Sequence, residues 1–183
     1  MDQAKKKPVS IGILVLTLFL VTLIMSGLLG VVNYVTKDRI ADLKSEAMDS
    51  AMQEVLPASA YEEAVYDGGD ALVASVWTAD GGYVVEVKPS GFGGEIDMMV
   101  GIDASGAVAG VSIVSMSETS GLGNNASKPE FRAQYVGKSE AALTKDGGDI
   151  DALTGATVTS RAVTRGVNAA LAAAEYMRGG AGK

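Results

Sequence analysis

The sequence contains no cysteine and no histidine. Without cysteine there can be no disulfide, no thiolate ligand and no thiol nucleophile; without histidine the commonest general base is missing. The two absences together exclude Cys/His zinc, haem and iron–sulfur sites, and any Ser-His-Asp or Cys-His nucleophile system. Any electron chemistry in this chain would therefore fall to a bound organic cofactor. A carboxylate-only Mg2+ or Ca2+ site stays open, although no stretch has the EF-hand spacing.

Charge is distributed just as unevenly. From Pro8 to Thr36 there is no charged residue at all. After that run, 12 Lys/Arg stand against 21 Asp/Glu, a net of −9, which argues against nucleic acid as a partner. The uncharged run has its apolar core at Ile11–Val35, longer than the roughly 20 residues a spanning helix needs. A cleaved signal peptide has a shorter apolar region and a small-residue cleavage site, whereas Asn33-Tyr34-Val35 follows here. Residues 9–35 are therefore expected to form a transmembrane helix that stays in the protein. Lys5, Lys6 and Lys7 put residues 1–8 on the cytoplasmic side and the rest of the chain outside. Lys37 and Arg39, interleaved with Asp38 and Asp42, oppose that orientation weakly. Ser26, Gly27 and Gly30 give the span a small-residue face for a neighbouring helix.

Residues 36–60 read as a connecting helix. Ile40, Leu43, Ala47, Ala51 and Val55 share one stripe, and Pro57 stops it. Residues 61–183 form the remaining domain. Leu72–Thr78 and Tyr83–Lys88 alternate like strands about Ala79-Asp80-Gly81-Gly82, a hairpin signal. Ile96–Ile102 and Val108–Met116 repeat the pattern about Asp103-Ala104-Ser105-Gly106; being more apolar, this second hairpin is expected nearer the middle of the sheet. Phe131–Tyr135 reads as a short helix or turn. Thr159–Arg178 is a helix with Val163, Val167, Leu171, Ala174 and Met177 on one stripe, ended by Gly179-Gly180. The fold class is α+β: one N-terminal transmembrane helix, then an antiparallel sheet with flanking helices.

Two loops carry the chemistry. Asp151-Ala152-Leu153-Thr154-Gly155-Ala156-Thr157-Val158-Thr159-Ser160 leads into the last helix, where unpaired N–H groups favour a phosphate. On pattern alone, Thr157 or Thr159 is simply the N-cap. Glu118-Thr119-Ser120-Gly121-Leu122-Gly123-Asn124-Asn125 follows a buried strand. It reads as a polar surface loop or, with two glycines about a leucine, as backbone that approaches a flat ligand closely.

Asp151–Thr157 resembles the D-x-x-[ST]-G-A-[ST] signature of covalent flavin attachment. Glu118–Gly123 resembles the E-T-P-G-L-G loop of the same family, with Ser120 in place of proline, and Gly91-Phe92-Gly93-Gly94 resembles its G-Y-G-G. With the N-terminal span, nearly the whole chain resembles the covalent-FMN-binding proteins typified by the G subunit of Rnf electron-transport complexes. The resemblance implies FMN esterified through its phosphate to Thr157 by a flavin transferase. It also implies cofactor contacts from Thr154, Gly155, Ala156, Thr159, Glu118, Thr119, Gly121, Leu122 and Gly123, and transferase recognition through Asp151. Its implied role is an electron relay within an ion-translocating ferredoxin:NAD oxidoreductase, with the other subunits of that complex as partners. It further implies that the flavin domain lies on the outer face of the cell membrane. No residue is assigned to catalysis or to a metal. Three other readings fit the same residues: the C subunit of a Na+-translocating NADH:quinone reductase, typically longer; a stand-alone surface flavin relay or sensor; and an anchored scaffold without flavin, in which Thr157 merely caps a helix.

Overall fold

The computed structural model describes residues 10–180; the basic cluster Lys5–Lys7 and the assigned cytoplasmic segment 1–8 lie outside them. The chain divides into two compact units, Met1–Lys44 and Ser45–Lys183.

From Ile11 onward the described residues of the first unit belong to one helix, α1 (Ile11–Val55), whose last residues fall in the second unit. It contains the one stretch among the described residues that is long and apolar enough to cross a membrane, and the side chains there are all exposed. At about 1.5 Å per residue, Ile11–Val35 rises about 38 Å, enough for a hydrocarbon core of roughly 30 Å. The hydroxyls of Thr17, Thr22 and Thr36 each donate to a carbonyl one turn back, at 2.7–2.8 Å. Those bonds satisfy hydroxyls that a lipid environment would otherwise leave without a partner. The charged run Lys37–Asp42 does not interrupt α1, because such side chains reach water without disturbing the backbone. The helix ends at Val55, two residues before Pro57, whose ring disfavours helical backbone at the residue preceding it.

The second unit is built on a five-stranded meander. Its strands are β1 (Tyr61–Ala64), β2 (Val73–Ala79), β3 (Gly82–Val87), β4 (Ile96–Asp103) and β5 (Val108–Met116), all antiparallel and in the order 1-2-3-4-5. Both hairpins form where the turn residues predict them. Asp80-Gly81 closes the first in two residues. In the second, the Asp103 carboxylate accepts from Ser105 N, Ser105 Oγ and Ala107 N. The Ser105 hydroxyl leads those bonds in holding the carboxyl below its usual range.

Two features differ from expectation. β1 is an additional strand: four residues with Glu62 and Glu63 at its centre are too short and too polar to announce themselves. The second hairpin is only partly central. β4 is buried almost throughout, beside the middle strand β3, but β5 is an edge strand. That edge is covered by residues 137–138, with Val108 N donating to Lys138 O and Gly137 N to Val108 O.

The helix α3 (Thr157–Arg178) packs across one face of the sheet. Val163, Val167 and Ala170 bury themselves against Val85, Val87, Met98, Val100 and Ile102. Full burial of each valine or larger side chain contributes on the order of 1.5–3 kcal/mol, which anchors the helix in register. The other face takes the last turns of α1: Ala51, Met52 and Val55 pack with Val84 and Met99. They come so close that a Cβ on Gly101 would lie 2.3 Å from Val55 O. Arg132, the last residue of the short helix α2 (Pro129–Arg132), binds this corner together. It donates to Ser127 O, Val111 O and Glu54 Oε1 at 2.7–3.0 Å.

Candidate functional site

α3 begins at Thr157, two residues earlier than the pattern predicts, and Ala156 is its N-cap. No side chain caps it. The first helical bond runs from Ser160 N to Ala156 O at 3.0 Å, so the N–H groups of Thr157, Val158 and Thr159 precede the ladder and point out of the helix start. The expectation that Thr157 or Thr159 acts as the N-cap is therefore corrected. Thr157 is the first residue inside the helix, and Thr159 is 1% exposed with its hydroxyl donating to Glu118 Oε2 at 2.9 Å.

The loop leading into α3 is held by Ser160. Its Oγ accepts from Leu153 N at 2.9 Å and donates to Ala156 O at 3.0 Å, tying the turn Thr154-Gly155-Ala156 down onto the first helical turn. Gly155 sits at φ 75°, in the left-handed region where side chains are strained, and a Cβ there would lie 3.2 Å from Leu122 Cδ2. The loop 118–123 is thus in contact with the loop before α3, although a long stretch of sequence separates them.

Between these loops lies a cleft of about 380 Å³, more apolar than polar in its lining, within the range of small-ligand sites. Of the residues assigned to the cofactor from the sequence, Glu118, Thr119, Leu122, Gly123, Gly155, Ala156, Thr157 and Thr159 line it. Thr154 and Gly121 do not. Thr154 is exposed in the adjoining turn, and Gly121 offers its carbonyl to Asn125 Nδ2 at 2.8 Å, bracing the loop from behind. Asp151 is exposed beyond the cleft, its N–H donating to Gln134 Oε1 at 2.7 Å.

Two further residues complete the cleft, Phe92 and Val158. With Leu122 they are large apolar side chains, and Phe92, Val158 and Leu122 are left 74%, 52% and 43% exposed around one opening. The sequence signal for Phe92 is the Gly91-Phe92-Gly93-Gly94 stretch, in which it is the one ring among glycines. One turn along α3 from Thr157, Arg161 is committed to Asp146, with bonds of 2.8 and 3.1 Å. Among the described residues no lysine or arginine lines the cleft, so the partial positive charge available to an anion there is that of the helix start itself.

The arrangement suits a ligand with an anionic group and a flat apolar body. The three leading N–H groups of α3 are available to an anion, and Leu122, Phe92 and Val158 offer surface for the rest. The Thr157 hydroxyl, half-buried at the cleft wall, makes no hydrogen bond among the described residues. FMN matches this donor set.

The features so far describe an α+β domain whose cleft suits FMN, preceded by a helix long and apolar enough to cross a membrane, and comparison with known families identifies both parts. Residues 91–172 match the FMN-binding domain family, and residues 4–55 match the RnfG N-terminal region. The chain is 35% identical over 179 residues to the G subunit of the Na+-translocating ferredoxin:NAD+ oxidoreductase complex of Acetobacterium woodii, covering 84% of this chain and 86% of that one. It is 36% identical over 166 residues to the G subunit of the proton-translocating ferredoxin:NAD+ oxidoreductase complex of Clostridium ljungdahlii, covering 87% and 90%. Among solved structures, it resembles the crystal structure of the C subunit of the Na+-translocating NADH-quinone reductase from Parabacteroides distasonis. That match has a TM-score of 0.43 and 24% identity over 58% of this chain and 60% of the other. The chain belongs to the G-subunit (RnfG) family of ion-translocating oxidoreductase complexes.

Proposed function

We propose that this protein is the membrane-anchored electron-relay subunit of an ion-translocating ferredoxin:NAD oxidoreductase, with FMN esterified to Thr157. The observation that carries the reading is a threonine hydroxyl without a hydrogen-bond partner at an uncapped helix start, on the wall of an apolar cleft. Family membership supports the relay role and the cofactor. The Asp151–Thr157 motif supports the linkage.

When bound, FMN accepts and releases electrons singly or in pairs; the chain's part is to hold and orient it. The N–H groups of Thr157, Val158 and Thr159 receive the phosphodiester charge. At an exposed helix start that attraction contributes only about 0.3–1 kcal/mol, too little to retain a cofactor where none is resupplied. An ester bond removes the dissociation step. Joining free FMN to a hydroxyl expels water and is uphill in water, so the donor must be activated, as in a flavin dinucleotide. Thr157 Oγ would be the atom that holds the flavin-side phosphate, with its hydroxyl proton given up to solvent and the donor's nucleoside monophosphate as the leaving group. Asp151, exposed and outside the cleft, is free to serve as a recognition residue for the transferase.

Leu122, Thr119 and Gly123 on one loop, and Gly155 and Ala156 on the other, form the walls against which the ring system lies, with Gly121 bracing the first loop from behind. The anchor keeps this site at the membrane, with the flavin domain on the outer face and the other subunits of the complex as electron donor and acceptor. Co-expression with a flavin transferase, followed by denaturing electrophoresis, tests the linkage. The wild-type band should fluoresce as flavin and the Thr157→Ala band should be dark. A dark wild-type band would remove the reading. With the Thr159 hydroxyl turned to Glu118, a fluorescent Thr157→Ala band would point to Thr154.

A further inference from the structure

Glu118 sits where three distant parts of the chain meet. Its Oε1 accepts from the N–H groups of Phe92 at 2.7 Å and Gly93 at 3.2 Å, and its Oε2 accepts from Thr159 Oγ1 at 2.9 Å. Phe92 and Gly93 belong to the loop before β4; Thr159 is the third residue of α3. Phe92, Glu118 and Thr159 all line the cleft. One carboxylate therefore spans the cleft from its aromatic side to its helix side. An ionised carboxylate suits the position because all three of its partners are donors, and such charge-assisted bonds are the stronger kind. The surrounding backbone closes on it. A Cβ on Gly91 would lie 2.1 Å from Oε1, and one on Gly123 2.5 Å from Oε2.

We infer that Glu118 is a positioning residue: its carboxylate latches the Phe92 loop to the first turn of α3 and fixes the separation of the two jaws between which the flavin ring lies. This rests on the reading of the cleft as the FMN site. Besides the latch, the loop's inner bonds are a tight turn, Gly91 N to Gly94 O at 2.7 Å, and the bridge between Ser90 and Glu95. Both hold the ends of the loop and leave the exposed Phe92 ring to be aimed by Glu118. The residue acts on the flavin through Phe92 and Thr159, and its amide analogue can do most of the same work. In Glu118→Gln the side-chain oxygen still accepts from both N–H groups, while the NH2 donates to Thr159 Oγ1.

The test uses the full chain in detergent, as wild type, Glu118→Gln, Glu118→Ala and Thr159→Val. The first readout is residue-resolved amide exchange in the flavin-free chain. Losing a hydrogen bond to a charged group should speed exchange at Phe92 and Gly93 about tenfold or more in Glu118→Ala, and leave it within about threefold of wild type in Glu118→Gln. The second readout is the visible circular dichroism of the flavin-loaded chain, which reports how rigidly the ring is held. It should fall in Glu118→Ala and return in Glu118→Gln. Thr159→Val, which severs only the helix-side arm, should also lower the dichroism, and it serves if Glu118→Ala does not fold. Unchanged exchange at Phe92 and Gly93 in Glu118→Ala would overturn the latch. So would a Glu118→Gln protein with wild-type exchange but the dichroism of Glu118→Ala, since the carboxylate would then act on the flavin by its charge. Exchange in the flavin-free chain reads the latch alone, and flavin fluorescence of the wild-type band reads the cofactor assignment alone, so either can fail without the other.

Discussion

At its C-terminal end α3 completes its own bonding: Gly179 N donates to Glu175 O and Met177 O, Gly180 N donates to Met177 O, and Arg178 reaches Ser105 O at 3.4 Å. At its N-terminal end the same helix starts without a side-chain cap, beside three exposed apolar side chains and a glycine with a positive φ. A helix that needed only to be stable would be closed at both ends, since an N-cap contributes about 1 kcal/mol. Here stability is supplied by the middle and the C-terminal end, and the N-terminal end is left able to bind. Free N–H groups, an apolar opening and a left-handed turn add little to the isolated fold, and all three suit a flat anionic ligand.

The contrast can be broken at the open end first. In Gly155→Val, a β-branched residue is forced to φ 75° and pressed toward Leu122. Thermal unfolding should show a loss of about 1–3 kcal/mol, and flavin attachment should fall to background on a denaturing gel.

The middle of α3 should respond to pH and not to flavin. Tyr135 is fully buried, and its hydroxyl pairs with Thr164 of α3 at 2.9 Å. Burial pushes its pKa up to about 12, with the Thr164 bond pulling slightly the other way. A raised phenol pKa means the folded state holds the proton more tightly than the unfolded chain, whose tyrosines titrate near 10. This contribution is complete below pH 10 and lost as pH rises towards 12, amounting to roughly 2–3 kcal/mol. Stability measured across that window should fall in the wild type and fall less in Tyr135→Phe.

Closing the open end should sharpen the comparison. Ala156→Asp supplies the missing cap and should stabilise the flavin-free chain by about 0.5–2 kcal/mol. Its carboxylate would occupy the N–H groups and repel the phosphate, so attachment should drop while the melting temperature rises. At the finished end, Arg178→Ala should change stability by less than about 0.5 kcal/mol and leave attachment untouched.

Much of this architecture was legible in the chain. The two hairpins announce themselves through alternation about Asp80-Gly81 and Asp103–Gly106, and α3 through its apolar stripe, because those signals are local. β1 was not legible, since Glu62 and Glu63 face outward on a strand defined only by its pairing with β2. At the site, Thr157, Leu122 and their flanking glycines were readable from motif resemblance. The exposure of Phe92, the burial of Thr159 and the brace at Ser160 were not, because each depends on residues far off or on which way a helix turn faces. Glu118 shows the limit most clearly: its donors lie 25, 26 and 41 positions away.

The central claim concerns one oxygen atom. Trypsin cleaves after Lys145 and Arg161, releasing one peptide that contains Thr154, Thr157 and Thr159 together. Purified from cells that express a flavin transferase, this peptide should be heavier by one FMN less one water, with fragmentation placing the addition on Thr157. An unmodified peptide, or an addition mapped to Thr154 or Thr159, would contradict the account.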